Sequence, residues 1–508
     1  MIKWVGTAAL AFVLAVPAFA QDMDHHHDHP APERLGAVTF GTSCNQAVRP
    51  AFNRAVALLH SFAYHISEEA FRDVSVKEPG CAMAHWGMAM TYYHQLWDPP
   101  SSNDELREGA AQIRVAAETP GSSLREHQYI DALAQYYRDA GHTPLAVRAQ
   151  RYARAMAEVA RSNPDDPEAQ IFYALSLIAT ASPADKTHAN QKRAADILEP
   201  IYRKQPQHPG LAHYLIHAYD SAELAPRGLA AARAYSMIAP SAPHALHMPS
   251  HIFTRLGLWN DSIASNVAAR AAAHAQGDLG EELHAMDYLT YAYLQLGRDA
   301  EAEEVVTAVR SMKDLPASQF KVDYAATAMP VRFAVERKDW DGATRLEPLP
   351  GSSPQVASII YWARALGHSR AKIPSASDAD IDKLDNCVNQ LRASGDEYWA
   401  TLVEAMLKEA QAWRLAAKGD SKAAILSLRA AADEEDALEK LPVTPGPIVP
   451  AREQLGELLL TLKHPDLALK EFKASLVLAP RRRGALLGAI TAAEQLGDIK
   501  TATELRAE

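Results

Sequence analysis

From about Phe40 to the C-terminus, apolar residues recur at helical spacing, and runs of alternating β-branched residues are missing. That pattern predicts one helix after another and no sheet. The segment EEAFRDVSVKEPGCAMAHWGMAMTYY shows the unit most clearly. Ala70, Phe71, Ala84, Trp86, Gly87 and Ala89 place small residues where paired helices cross, and Pro79 separates one unit from the next. Further units run from Tyr152 to Pro164, Ala169 to Pro200, Ala212 to Pro240, His244 to Gln276 and Asp287 to Met312. Near the C-terminus, Leu462 and Leu496, and likewise Ala468 and Ala502, lie 34 residues apart. The predicted fold is all-α, a solenoid of stacked helix-turn-helix repeats. Pro and Ser interrupt the pattern at Lys313 to Ser318, Leu346 to Ser353 and Lys372 to Ala379, so a bend into two lobes is expected, with arrays over 40–312 and 313–508.

The first twenty residues read as an export signal. Lys3 is followed by the apolar run AALAFVLAV and by Ala18-Phe19-Ala20, which predicts cleavage after Ala20 and a periplasmic or secreted protein. No later stretch reaches the roughly 18 apolar residues of a membrane span, so insertion after processing is not expected. Residues 21–39 form a polar leader expected to be disordered, and its Asp22 to His29 stretch carries four histidines suited to weak capture of zinc, copper or nickel.

Composition narrows the function. The 508 residues carry a formal charge of −11 with no basic stripe, which argues against a nucleic-acid partner. There is no nucleophile elbow, phosphate-binding glycine loop, dinucleotide fingerprint or H-E-x-x-H motif, so catalysis stays an open question. Of three cysteines, Cys44 precedes the first helix and Cys81 opens the third, so one disulfide in an oxidising compartment is the favoured reading. Three buried thiols are the alternative, and Cys387 stays unpaired in either case.

Chemistry concentrates on histidine. His213 and His217 recur as His247 and His251, each 34 positions later, the period of a tetratricopeptide repeat. Equivalent positions on successive first helices face one groove, so the four imidazoles are candidate metal ligands for a divalent ion such as Zn, Cu or Fe. Pro249 complicates the second pair. As the first residue of a helix it would remove His247 from the shared face, whereas a kinked helix starting at His244 would keep it, so a set of three or four imidazoles is expected. Asp220, His244, His284, Asp287 and Tyr214 flank the pairs as supporting or groove residues. The competing reading is a polar groove that grips a peptide. A second group, His60, His65, His85 and His94 among Tyr64, Trp86, Tyr92, Tyr93 and Trp97, lacks the repeat spacing and reads as structural.

LEKLPVTPGPIVPAREQLG holds four prolines in nine residues and predicts an ordered loop laid across the array or joining its lobes. Together with the signal, SCNQAVRPAFNRAVALLHSF, CAMAHWGMAM and HALHMPSHIF, it resembles a family of exported bacterial tetratricopeptide-repeat proteins. The resemblance spans nearly the whole mature chain and implies fold and compartment, but no catalytic residue. The expected function is therefore a periplasmic scaffold holding a peptide or partner protein in its concave groove; the alternative is a metalloprotein with its ion in the central repeats.

Overall fold

The computed structural model describes Met1, residues 33–96 and residues 101–507, and the fold it shows is a tetratricopeptide-like array of helices. Among the described residues there is no strand. Residues 2–20 of the predicted signal, most of the histidine-rich leader and Trp97 lie outside the described residues. From Arg34 onward the chain forms one compact unit.

Local sequence sets the helix ends. Ser102 and Ser123 each accept a hydrogen bond from the backbone N–H of Glu105 and Glu126, whose carboxylates in turn accept one from the serine N–H, closing two of the array's first turns. Consecutive helices then pack as hairpins, such as Trp259–Gln276 on Leu279–Gln295, which in turn packs on Phe320–Glu336. Gly87 shows why small residues sit at the crossings: a Cβ there would lie 2.4 Å from the Phe71 ring. Trp86, 1 % exposed, fills the space beside Phe40 and Tyr129.

Three large apolar clusters follow one another, from Leu35 to Phe253, from Trp259 to Phe333 and from Phe320 to Leu505, and a small one joins Ala405, Ala431, Ala432 and Ala451. Residues 34–39 of the expected leader are packed rather than loose, together with Phe40. Leu35, Val38 and Phe40 are buried, and the Ala37 N–H donates to the Gln207 carbonyl at 2.8 Å. Three apolar side chains in six residues explain this, because they cover core that the first repeats leave open.

The array also curls. The Arg49–His60 helix packs on Pro209–Ala218, and Leu279–Gln295 meets Arg483–Gln495. The proline-rich segment crosses the inner wall as an ordered strap. The Tyr288 hydroxyl approaches the Thr444 carbonyl at 3.2 Å, and the fully buried Arg332 donates to the Pro447 carbonyl at 3.0 Å. Proline removes N–H groups but keeps carbonyls, so such a strap is held by donors from the wall beneath it.

Candidate metal centre

Three successive repeats deliver histidines to one wall. Pro209–Ala218 carries His213 and His217, the short helices Pro243–His247 and Pro249–Arg255 carry His244, His247 and His251, and Leu279–Gln295 carries His284. All six are buried. They form two trios, His213 with His217 and His244, and His247 with His251 and His284; within each trio the candidate ligand atoms lie within 4.8 Å of one another. The trios adjoin. Ring centroids of His217 and His251 are 6.0 Å apart, and those of His244 and His247 are 6.2 Å apart.

Pro249 does not break the second pair. Met248 keeps helical angles (φ −53°, ψ −35°) between the two short helices, its N–H donates to the His244 carbonyl, and the His251 N–H donates to the Met248 carbonyl. The helix therefore runs on through a local break, and His247 Nε2 stands 3.0 Å from His251 Nε2. In the first trio, His213 Nε2 lies 3.1 Å from His217 Nε2 and 3.2 Å from His244 Nε2.

The second nitrogen of each ring decides what these contacts mean. His213 Nδ1–H donates to the His60 carbonyl at 2.7 Å, and His244 Nδ1–H points to Glu281 Oε2 at 3.3 Å. His251 Nδ1–H donates to Asp220 Oδ2 at 2.9 Å. His247 Nδ1–H donates to Asn266 Oδ1 at 2.7 Å, the amide being oriented by its own donation to the Ser262 carbonyl. A neutral imidazole carries one proton, so with Nδ1–H on those acceptors His213, His247 and His251 present Nε2 as a lone pair. Burial also opposes double protonation. It holds His213, His217, His247 and His284 well below the ordinary histidine value, and brings His251 to about 4 even though Asp220 pulls the other way. Lone pairs facing each other at this range repel, and a shared cation turns the repulsion into ligation. Two imidazoles on one tetrahedral ion, with bonds of about 2.0–2.1 Å, sit with their nitrogens roughly 3.3 Å apart.

A third buried group, His60, Glu168 and His208, has candidate ligand atoms equally close but different chemistry. His60 Nε2 and His208 Nε2 each lie 3.0 Å from a Glu168 oxygen, and the Tyr214 hydroxyl is 2.9 Å from His60 Nδ1. Here N–H meets carboxylate, so the contacts are satisfied as hydrogen bonds. Burial would raise the Glu168 carboxyl, but the two histidines outweigh it and hold the group below its ordinary value. The group supports the first trio, since the His60 carbonyl is what orients His213. Gly210 lets the two helices approach this closely: a Cβ there would lie 2.6 Å from His60 Nδ1.

Asp220 anchors the second trio. Burial opposes its ionisation, but Lys440 of the strap at 2.7 Å and Arg255 at 2.9 Å hold the carboxyl well below the usual range. The same burial brings the Lys440 ammonium down to about 8.

The flanking residues expected from sequence are thus dispersed. His244 and His284 join the trios directly, Asp220 supports one of them, and Tyr214 supports His60. Asp287 faces Arg332 at 3.7 Å, touches no trio nitrogen, and is pushed up to about 6 by burial. Of the second histidine group, His60 is drawn into the support shell, His65 is exposed on the surface, His85 bonds Gln112, and His94 stacks on Tyr64. Glu281, Asn266 and Lys440 are partners that sequence reading did not name. A signal for one existed: His244, His247 and His251 recur 37 positions later as Glu281, His284 and Tyr288. Cys44 and Cys81 are joined, S–S 2.00 Å, and Cys387 is free and buried.

Between the trios, a cavity of about 10 Å³ is lined by His217, His244, His251 and His284 and closed by Phe62, Leu96, Met248 and Pro442. That is room for one water-sized ligand. Phe62 (φ +54°) and Leu96 (φ +67°) both hold left-handed backbone angles that bulky residues seldom adopt, strain of the kind that gathers at functional sites.

No family model matches the chain, and no curated protein does. Among solved structures, a human IFIT1 dimer with PPP-AAAA is similar at 11% identity and a TM-score of 0.38, over 88% of this chain and 93% of that one. The APC/C hetero-tetramer Cut9–Hcn1 is similar at 11% identity and a TM-score of 0.36, over 87% and 75%. No residue role is carried across at this level of likeness. No described helix is long and apolar enough to cross a membrane.

Proposed function

We propose that this protein is a metalloprotein whose repeat array holds two transition-metal ions side by side, one on His213, His217 and His244, the other on His247, His251 and His284. The observation that carries the reading is the close opposition of Nε2 atoms, 3.0 Å apart between His247 and His251 and 3.2 Å between His213 and His244, in rings whose Nδ1 faces an acceptor. Donor sets made only of imidazole nitrogen suit copper or zinc, and copper is held most tightly by such ligands. A pair of ions of this kind supplies Lewis acidity, or with copper electron transfer, to one small ligand held between them. The chain's own residues fix ring orientation through Asp220, Asn266, Glu281 and the His60 carbonyl, and Phe62, Leu96 and Pro442 exclude bulk water.

The export signal read in the first twenty residues supports acquisition of such ions outside the cytoplasm, and the Cys44–Cys81 bond suits an oxidising compartment. Binding of a peptide or partner protein to the repeat scaffold is compatible with this reading on surfaces away from the trios. Beside them the concave wall is covered by the chain's own strap.

The test is elemental analysis of protein lacking residues 21–32, purified without a tag or metal-affinity step. The parent is expected to carry two equivalents of copper or zinc, and His213→Ala and His251→Ala about one each. Less than about half an equivalent in the parent overturns the reading.

A further inference from the structure

Resting on that two-metal reading, we propose that the chamber beside His217 binds a neutral single-ring organic molecule bearing a hydroxyl or N–H donor, and presents it to the metal pair past Leu96 and Pro442. The chamber has a volume of about 220 Å³ and shares Leu96, His217 and Pro442 with the small cavity between the trios. A cavity of about 150 Å³ accepts one benzene-sized molecule, so this one fits a ring with a substituent.

Its walls state what the ligand must offer. Leu145, Ala149 and Ile178 line one part with hydrocarbon. Against them stand Gln95 and His188, each 3 % exposed, and both lining the chamber. Gln95 Oε1, His188 Nδ1 and the nearby Gln191 Oε1 have no hydrogen-bond partner. Buried amide oxygens are rarely left unpaired, and an oxygen accepts only, so the complement is a ligand with a donor. The charged groups on the wall are already matched, Asp220 with Lys440 and Glu439 with Lys186, which leaves no charge to select an ionic ligand. His188 (φ +51°) and Leu96 share the left-handed backbone seen at Phe62, so strain continues along the wall from the metal cavity into the chamber.

Phenol is the probe, titrated calorimetrically into full-length, metal-loaded protein whose metal content is measured on the same sample. The expected result is one phenol per chain, with anisole, which has the ring but no donor, at least about tenfold weaker. Ala149→Trp fills the chamber and should abolish binding; Gln95→Leu should reduce the preference for phenol over anisole; neither should change the metal count. Copper-loaded protein should broaden the phenol ring resonances in proton spectra beyond what zinc-loaded protein does. Two metals with no phenol bound overturns the chamber and spares the metal reading. Phenol binding with no metal overturns the metal reading instead, and with it the presentation to a metal pair. Equal affinity for phenol and anisole, binding untouched by both substitutions, or broadening no greater with copper than with zinc each overturns the inference.

Discussion

At the scale of single residues, each trio imidazole takes its character from the atom bonded to its far nitrogen. Asp220 is the most exposed to test, because it orients His251 while neutralising Lys440 and Arg255. Asp220→Ala is expected to weaken retention of one of the two ions by about 10- to 100-fold in competition with a chelator, leaving the other nearly unchanged. Gly210→Ala drives a methyl into the His60 ring and should destabilise the fold by about 1–3 kcal/mol in denaturant titration. Sequence spacing exposed His213, His217, His247 and His251, because both pairs obey the repeat period. It could not single out His244 and His284 as members of the trios. They occupy non-equivalent positions of their repeats, and only the bend of the wall brings one to each pair. Asp287 misled for the opposite reason: three residues after His284 on the same helix, it turns to Arg332.

At the scale of elements, the passage through Pro249 keeps His247 and His251 on a common face, a result the chain's local pattern left undecided because a proline permits either a start or a kink. The strap was legible as an ordered proline loop, but its contacts join residues far apart in sequence and no periodicity encodes them. Under its C-terminal part, Glu409 accepts hydrogen bonds from Trp362 and Gln454 at 2.7 Å each, and burial pushes its carboxyl up to about 7. The folded protein thus keeps a proton that the unfolded chain releases near its ordinary value. This contribution to stability is full below about pH 4.5 and is lost as pH rises through 7, on the order of 3 kcal/mol in all. Melting measured from pH 5 to 8 should show the parent losing stability relative to Glu409→Gln, which keeps a neutral group there, as pH rises through 7.

At the scale of the whole molecule, helix class and repeat period were readable because each unit repeats its packing code in its own residues. The curl that sets the Arg49–His60 helix against Pro209–Ala218 was not, since small angles between repeats accumulate without any one residue specifying them. The Cys44–Cys81 bond ties the N-terminal end of this curl across 37 positions. Replacing both cysteines by serine should cost about 3–4 kcal/mol, read as a lower melting temperature that reductant also produces in the parent but not in the variant.

Lys440 seats on Asp220 from 220 positions further along the chain. As the chain is made from its N-terminus, the six imidazoles therefore emerge well before their cover, and on the two-metal proposal an arriving ion would meet an open cradle. Once the cover settles, such an ion would leave only when that late segment lifts, so its residence time would be set by a folding step rather than by coordination strength alone.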